Sequence, residues 1–348
     1  MSIGERLLGA TSARSPELWV RHGAVDPDLD LGSLRSATIT VVADDGVPLH
    51  AEIDEAVPMA TRGRRAKHAA PPPVTLVFIH GYSLNLDCWH FQRAAFRGGV
   101  KAVYYDQRSH GRSGRSPDGH STIAQLGQDL KRVLDDLTHD DPVVLIGHSM
   151  GGMTILSFAE QHPELFGTKV IGTVLMSTTA GGLDPGRILF PMLPAGLGSG
   201  IMKRVVGTLS RGHRAVDALR NRGHDLAMTV TDAYAFGTDV PDEQVEFVYD
   251  LLNQTPFDVI ADFFPAFATL DTWHCCATLS TVPTAIICGT ADKITAIGHS
   301  RKLHARIQGS DLLECEGAGH MVNIERFTSV NHELEALINR AIDQHEAR

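Results

Sequence analysis

The pentapeptide Gly147-His148-Ser149-Met150-Gly151 constrains this chain more than any other stretch of it. A short apolar run, Asp141-Pro142-Val143-Val144-Leu145-Ile146, enters it with the character of a strand. Gly152 to Ala159 leaves it with the character of a helix. A strand that turns at once into a helix forces the residue between them into a strained backbone conformation. The flanking positions must then be nearly free of side chain, which is what glycines two residues to either side supply. Such a turn holds the Ser149 hydroxyl up at the end of a sheet. It also sets the next N–H, that of Met150, at a helix N-terminus.

A chain of 348 residues has room for one α/β core with a large insertion, or for two domains. Its 43% hydrophobic and 21% charged residues are those of a globular protein with a substantial core. The formal net charge of −10, with no basic stripe, argues against nucleic acid as a partner. One basic run, Arg62-Gly63-Arg64-Arg65-Ala66-Lys67-His68, lies beside Pro71-Pro72-Pro73 and reads as a solvated loop. No apolar run approaches the roughly 20 residues of a membrane span, so integral membrane association is not expected. Charges at Glu5, Arg6, Arg14 and Glu17 interrupt any signal-peptide core. Cys88, Cys275, Cys276, Cys288 and Cys315 are odd in number and match no zinc spacing, so reduced thiols and a cytoplasmic location are expected.

Residues 1–35 read as an irregular or partly helical extension. Ala37–Val42 and Leu49–Ile53 read as strands of a hairpin, with Asp44-Asp45-Gly46 as its turn. Val74–Ile79, Lys101–Tyr105, Val143–Ile146, Val170–Met176 and Thr284–Cys288 are apolar nearly throughout, as strands buried on both faces should be. Helical spacing occupies Asp87–Phe96, Thr122–Leu137, Ser300–Ile307 and Val330–Ile342. Strands alternating with helices predict an α/β fold: a mostly parallel, twisted sheet with helices on both faces and an antiparallel edge from the hairpin. The alternation stops over 182–281. Glycines and prolines come first there, then helical segments at Ile201–Leu209, Glu243–Leu252 and Phe257–Leu270. That stretch is too long for a plain loop and reads as a helical cap. The expected organisation is an extension (1–35), a core (36–181 and 282–348) and a cap insertion (182–281).

A serine needs a base, and the base needs an orienting acid. Asp292 follows the strand Thr284–Gly289 directly, at the carboxyl edge that also carries Ser149. His320 follows the last strand, Ser310–Cys315, through Glu316-Gly317-Ala318-Gly319. Asp184, already in cap-like sequence, is a competing acid. Two N–H donors are needed for an oxyanion. Met150 offers one, and Tyr82 in the loop His80-Gly81-Tyr82-Ser83 the other, with Gly81 letting backbone approach. His80, His110 and His148 read as buried bracing residues rather than catalysts. The candidate catalytic set is therefore Ser149, Asp292 and His320. Tyr82 and Met150 are the oxyanion donors, and His80, Gly81, Gly147 and Gly151 the support. No metal site is called for.

These motifs resemble the α/β-hydrolase fold across about residues 37–345. His80-Gly81, Asp106-Gln107-Arg108-Ser109-His110-Gly111-Arg112-Ser113, Gly147–Gly151, Asp292 and Gly319-His320 carry the resemblance, in the chain order Ser, Asp, His. The second motif is similar to the D-x-R-G-x-G-x-S loop of the epoxide hydrolase, haloperoxidase and esterase branch. It departs from that loop with Ser109 where glycine is usual. Serine at 149 argues against the relatives that use an aspartate nucleophile, the epoxide hydrolases and haloalkane dehalogenases. The Gly-His-Ser-Met-Gly-Gly form is similar to carboxylesterases and monoacylglycerol lipases. It also occurs in ring-cleavage C–C hydrolases and cofactor-free haloperoxidase-like esterases.

The resemblance implies a serine hydrolase without a cofactor, acting on a small-molecule ester. The apolar cap inventory (Phe190, Met192, Leu193, Leu197, Ile201, Met202, Phe257, Phe263, Phe264 and Phe267) implies a short-to-medium apolar acyl chain. A C–C bond hydrolase for vinylogous diketones uses the same triad and is the alternative. A non-catalytic ligand-binding protein on this fold is the third reading.

Overall fold

The computed structural model describes residues 30–57, 59–60, 68–69, 73–183 and 224–348. Most of the extension, most of the basic run, Asp184, the segment Ile201–Leu209 and the six cap residues from Phe190 to Met202 lie outside them.

The strands of the main sheet are β1 (Thr38–Val42), β2 (Pro48–Asp54), β5 (Thr75–Ile79), β6 (Lys101–Tyr105), β7 (Val143–His148), β8 (Val170–Met176), β9 (Thr284–Gly289) and β10 (Asp311–Cys315). Two-residue strands β3 (Met59–Ala60) and β4 (His68–Ala69) pair antiparallel with each other, inside a stretch whose prolines read as loop. The eight-stranded sheet has the order β1-β2-β6-β5-β7-β8-β9-β10. β1 and β2 form the antiparallel hairpin, β2 meets β6 antiparallel, and the remaining pairs are parallel. The hairpin turns at Gly46, with φ +85. Chain order reverses around β5, which lies between β6 and β7. A crevice opens at the carboxyl ends of the strands at such a reversal, and ligands bind there.

The helices are α1 (His90–Phe96), α2 (Ile123–Leu137), α3 (Met150–Gln161), α4 (His224–Ala235), α5 (Asp242–Asn253), α6 (Phe257–Ala268), α7 (Cys276–Leu279), α8 (Ile297–His304), α9 (Val322–Glu325) and α10 (Phe327–Glu346). Alternate residues of each buried strand feed two cores. Leu76, Phe78, Tyr104, Val144 and Ile146 pack with Phe91 and Phe96 of α1 and Leu334, Leu337 and Ile338 of α10. Val77, Ile79, Tyr105, Val143 and Leu145 pack with Leu130 and Val133 of α2, Ile155 and Phe158 of α3, and Leu303 of α8. The sheet is thus covered on both faces. Among the described residues no helix is long and apolar enough to cross a membrane.

Local chemistry sets the helix ends. Thr122 caps α2, its Oγ1 accepting from Gln125 N–H at 3.1 Å. Such a cap contributes about 1 kcal/mol. The expected helix over Asp87–Phe96 is in two parts, a 3₁₀ turn over Leu86–Trp89 and then α1. Asn85 caps that turn by accepting from Asp87 N–H at 2.9 Å. The helix expected at Ser300–Ile307 lies three residues earlier, at Ile297–His304, and ends in a turn where Ile307 N–H reaches Leu303.

The loop after β6 is fixed by buried charge. Arg108 is fully buried and holds Asp129 of α2 through Nε at 2.6 Å and Nη2 at 2.7 Å. Its Nη1 holds Asp45, in the turn of the hairpin, at 2.7 Å. Asp106 Oδ1 accepts from Leu86 N–H and its Oδ2 from Arg112 N–H, both at 2.8 Å. Ser109, where glycine is usual in similar loops, has φ +65, the left-handed region that explains the glycine preference. Its Oγ accepts from Ser116 N–H at 2.8 Å and holds the loop in that conformation.

α4, α5 and α6 lie in sequence between β8 and β9. Val259, Phe263 and Phe267 of α6 form a third apolar cluster with Met150 and Met153 of α3 and Ile123 and Leu126 of α2, and Tyr82 packs against it. α6 therefore rests against α2 and the N-terminal turn of α3, beside the loop that follows β5.

Candidate active site

Ser149 stands between the last residue of β7 and the first of α3 with φ +52 and ψ −115. That conformation is strained for a residue with a side chain, and strain of this kind collects at functional sites. It is held by its surroundings. Ser149 N–H donates to Met176 O at 2.9 Å, and its carbonyl accepts from Thr178 Oγ1 at 2.7 Å. The flanking glycines are obligatory in shape. A Cβ on Gly147 would lie 2.5 Å from the Gly151 carbonyl, and one on Gly151 would lie 2.7 Å from the Ile79 carbonyl carbon. Real Cβ contacts do not come so close.

The turn after β5 closes over the serine. A Cβ on Gly81 would meet Ser149 Cβ at 3.1 Å. Tyr82 follows, its ring edge-on to Phe267 at 5.0 Å and its hydroxyl donating to the Ile260 carbonyl of α6. Met150, the first residue of α3, shares the apolar cluster that Tyr82 packs on. The first N–H groups of a helix have no acceptor within the helix, and they favour negative charge. His80 braces this loop. Its Nε2 accepts from Gln107 N–H at 2.9 Å, so the ring hydrogen is on Nδ1, which donates to Gly81 O at 2.7 Å. Burial, with the neighbouring His110 adding to it, pushes His80 down to about 3. The ring is therefore a neutral brace.

His320 and Asp292 come from the loops after β10 and β9. His320 Nδ1 lies 2.9 Å from Asp292 Oδ2. Both residues are buried. Asp292 Oδ1 accepts from Ile294 N–H at 2.8 Å and from Thr295 N–H at 2.9 Å. Its Oδ2 also accepts from Thr295 Oγ1 at 2.9 Å. Burial acts to raise the carboxyl, but the charge and hydrogen bond of His320 and these donors outweigh it, holding Asp292 well below the ordinary carboxylate range. A buried, ionised carboxylate facing Nδ1 fixes the hydrogen there and puts the lone pair of the ring on Nε2.

The structure brings Asp292 to His320, Gly81 to Ser149, and Tyr82 and Met150 into one cluster. His148, adjacent to Ser149, has its ring centroid 4.9 Å from that of His320. Several partners were not expected from sequence. Thr178 and Thr295 hold Ser149 and Asp292 through hydroxyls. Thr295 has a weak sequence signal, because an Asp three residues before a Thr is the spacing of a side chain that turns back to accept backbone N–H groups. Thr178 has none. His110, read as a bracing residue, binds Arg108 O through Nδ1 at 2.9 Å and faces Phe263 with ring centroids 5.4 Å apart.

The model of the alpha/beta hydrolase family matches residues 76–331, and the chain belongs to that family. Its relatives include an uncharacterized protein of Mycobacterium tuberculosis (strain ATCC 25618 / H37Rv), 29% identical over 273 residues that cover 74% of this chain and 73% of that protein. A thermophilic esterase from Thermogutta terrifontis superposes with a TM-score of 0.66 at 17% identity, covering 88% of this chain and 99% of that one. The enol-lactonase from Burkholderia xenovorans LB400 gives 0.65 at 23% identity, over 86% of this chain and 100% of that one.

Proposed function

We propose that this chain hydrolyses carboxylic esters with apolar, short-to-medium acyl chains through a triad of Ser149, His320 and Asp292. One observation carries the reading. The 2.9 Å bond from His320 Nδ1 to an ionised, buried Asp292 makes the ring a base at Nε2, on the edge where Ser149 is held at φ +52.

His320 takes the Ser149 proton as Oγ attacks the ester carbonyl. The N–H groups of Met150 and Tyr82 hold the developing oxyanion, each donor contributing about 10²–10³ in kcat. Collapse of that adduct breaks the bond to the alcohol oxygen, which leaves with the proton from His320. Water then attacks the acyl-enzyme, again giving its proton to His320, and Ser149 is released. Asp292 stabilises the imidazolium in both halves.

In this reading 36–181 and 282–348 are the core, and 182–281 is a cap whose Phe263 and Phe267, packed against Met150 and Tyr82, help to shape the acyl pocket. The solved structures of the same fold include proteins called an esterase and an enol-lactonase, in keeping with this reading. All five cysteines are buried free thiols, which supports a cytoplasmic protein.

Ser149→Ala tests the proposal. The variant should fold normally and lose roughly 10⁴–10⁶ of kcat on a p-nitrophenyl ester. A fluorophosphonate should leave one adduct, on the peptide that holds Ser149. Turnover near wild type in the variant, or an unmodified peptide, would sink the assignment. Cleavage of a vinylogous diketone with no activity on simple esters would transfer the site to C–C bond hydrolysis.

A further inference from the structure

His320 sits on a loop, and its ring is held at one nitrogen: Nδ1 faces Asp292 Oδ2 at 2.9 Å, with Thr295 Oγ1 3.4 Å from the same atom. A ring held at one nitrogen still swings if the backbone beneath it moves. Two buried polar side chains hold that backbone on either side of His320. His148 Nε2 lies 3.0 Å from the carbonyl oxygen of His320. A carbonyl only accepts, so His148 carries its hydrogen on Nε2 and its Nδ1 is bare. Glu325 of α9 accepts the N–H of Gly319, the preceding residue, on Oε2 at 2.7 Å.

Each of these side chains joins His320 to another part of the site. His148 is the last residue of β7, so one residue links the serine turn to the histidine loop. Glu325 also accepts from Gly237 N–H at 3.1 Å on Oε2, and from Thr238 N–H at 2.9 Å and Thr238 Oγ1 at 2.6 Å on Oε1. Gly237 and Thr238 follow α4, in the inserted helices. The same junction touches the loop directly, because Met321 N–H donates to Ala235 O at 2.8 Å. A Cβ on Gly319 would lie 2.5 Å from the backbone of Phe236.

The cost of His148 is informative. It is fully buried, edge-on to Trp89 with ring centroids 6.4 Å apart, and its Nδ1 has no hydrogen-bond partner among the described residues. A buried acceptor left bare costs about 1–3 kcal/mol. An apolar side chain would avoid that cost in this position, but it would leave the His320 carbonyl without its donor. Burial, with the charge of His320 adding to it, pushes His148 down to about 3. A neutral His148 does not oppose the charge that forms on His320 during turnover.

We infer that His148 and Glu325 are positioning residues, which clamp the His320 carbonyl and the Gly319 N–H and keep the His320 imidazole aligned between Asp292 and Ser149. Displacement of a reacting group by about 1 Å costs on the order of 10² in rate. The inference rests on the serine-hydrolase reading above.

The experiment compares His148→Leu, His148→Gln, Glu325→Gln and Ser149→Ala with wild type on p-nitrophenyl butyrate, with a urea midpoint for each. A Val133→Ala variant, destabilised in the core around α2, is the control for stability alone. His148→Leu and Glu325→Gln should lose about 10–100-fold in kcat with KM within about twofold. His148→Gln should recover most of the loss, because a glutamine amide nitrogen reaches the place of imidazole Nε2. Wild-type kcat in His148→Leu and Glu325→Gln, or a fall no larger than that of a control equally destabilised, overturns the positioning role. An inactive Ser149→Ala beside a fully active His148→Leu removes this inference and leaves the reading of the site standing. A fully active Ser149→Ala removes both.

Discussion

Thr295 donates its hydroxyl to Asp292 Oδ2 at 2.9 Å, the same oxygen that faces His320 Nδ1 at the same distance. The other oxygen is occupied by two backbone N–H groups, from Ile294 and Thr295. Asp292→Asn cannot satisfy this arrangement. Its carbonyl oxygen must serve the backbone donors, so its NH₂ faces His320. The ring then needs its hydrogen on Nε2, the nitrogen that takes the Ser149 proton in the proposed mechanism. We expect kcat to fall about 10⁴-fold with little change in KM, as for other triads with the wrong tautomer. Thr295→Val, which removes one donor and keeps the charge, should cost about tenfold. Steady-state kinetics on p-nitrophenyl butyrate separate the two. Equal losses would contradict the division of roles.

Gly151 has no room for a methyl group, because a Cβ would overlap the Ile79 carbonyl and lie 2.9 Å from His80 O. The neighbours are backbone of β5 and its turn, which cannot rotate away. Gly151→Ala should therefore displace the Ser149 turn or the loop that carries Tyr82, with loss of both stability and activity. Destabilisation of at least about 2 kcal/mol is expected, in the range of overpacked cores. A urea midpoint equal to wild type would show that the turn relaxes without cost.

Four buried histidines set the acid sensitivity of the fold. Burial lowers His80 and His148 to about 3, and His90 and His110 to about 4. Unfolded, each titrates near 6.5. Between these values the unfolded chain binds protons that the folded chain does not, so stability rises with pH and is lost as pH falls below about 6.5. Each group is worth on the order of 2 kcal/mol at pH 5 by this linkage. Asp106 works the other way, since burial raises it to about 6, and it offsets less than one histidine's share. The depressed Asp292 adds its loss only below about 4. The urea midpoint should therefore drop clearly from pH 7 to pH 5. An unchanged midpoint would mean that the folded histidines are charged.

Arg108 is fully buried between Asp129 and Asp45. Arg108→Ala strands two carboxylates, one of them fully buried, and should cost about 3–5 kcal/mol. Arg108→Met with Asp129→Leu removes charge from both sides and should recover part of that loss. A double variant no more stable than Arg108→Ala would count against a stranded charge as the cause.

The parts of this fold that were legible in sequence are those whose cause is local. Strands buried on both faces leave unbroken apolar runs, and the five runs from Val74 to Cys288 all lie in the central sheet. Chain reversals leave glycine, as at Gly46. The shared edge of Asp292 and His320 was legible because each lies in the loop that follows a strand, β9 and β10, and parallel strands carry such loops to one edge. α4 was not read, because Thr229-Val230-Thr231 at its centre is β-branched and has the look of a strand. The Glu325 contacts to Gly237 and Thr238 span 88 and 87 residues. No local pattern marks a carboxylate whose partners are backbone groups of a distant turn. His148 read as a brace, but its partner, a carbonyl 172 residues away, left no trace in its neighbourhood.

The proposed acyl pocket makes Phe263 the residue to vary. It is fully buried, faces His110 with ring centroids 5.4 Å apart, and shares a cluster with Met150, the proposed oxyanion donor. It is on α6, whose Tyr82–Ile260 hydrogen bond fixes the helix to the loop over Ser149. Shortening the side chain there enlarges the space beside Met150 while leaving Ser149, Asp292 and His320, the proposed triad, unchanged. Phe263→Leu should shift preference toward p-nitrophenyl esters two or more carbons longer (about 0.8 kcal/mol for each added buried CH₂) through a lower KM. Its stability loss should be about 1–2 kcal/mol, less than the 3–5 of a full truncation to alanine. A chain-length profile parallel to wild type, with only the stability changed, would assign Phe263 to packing and move the acyl pocket away from α6.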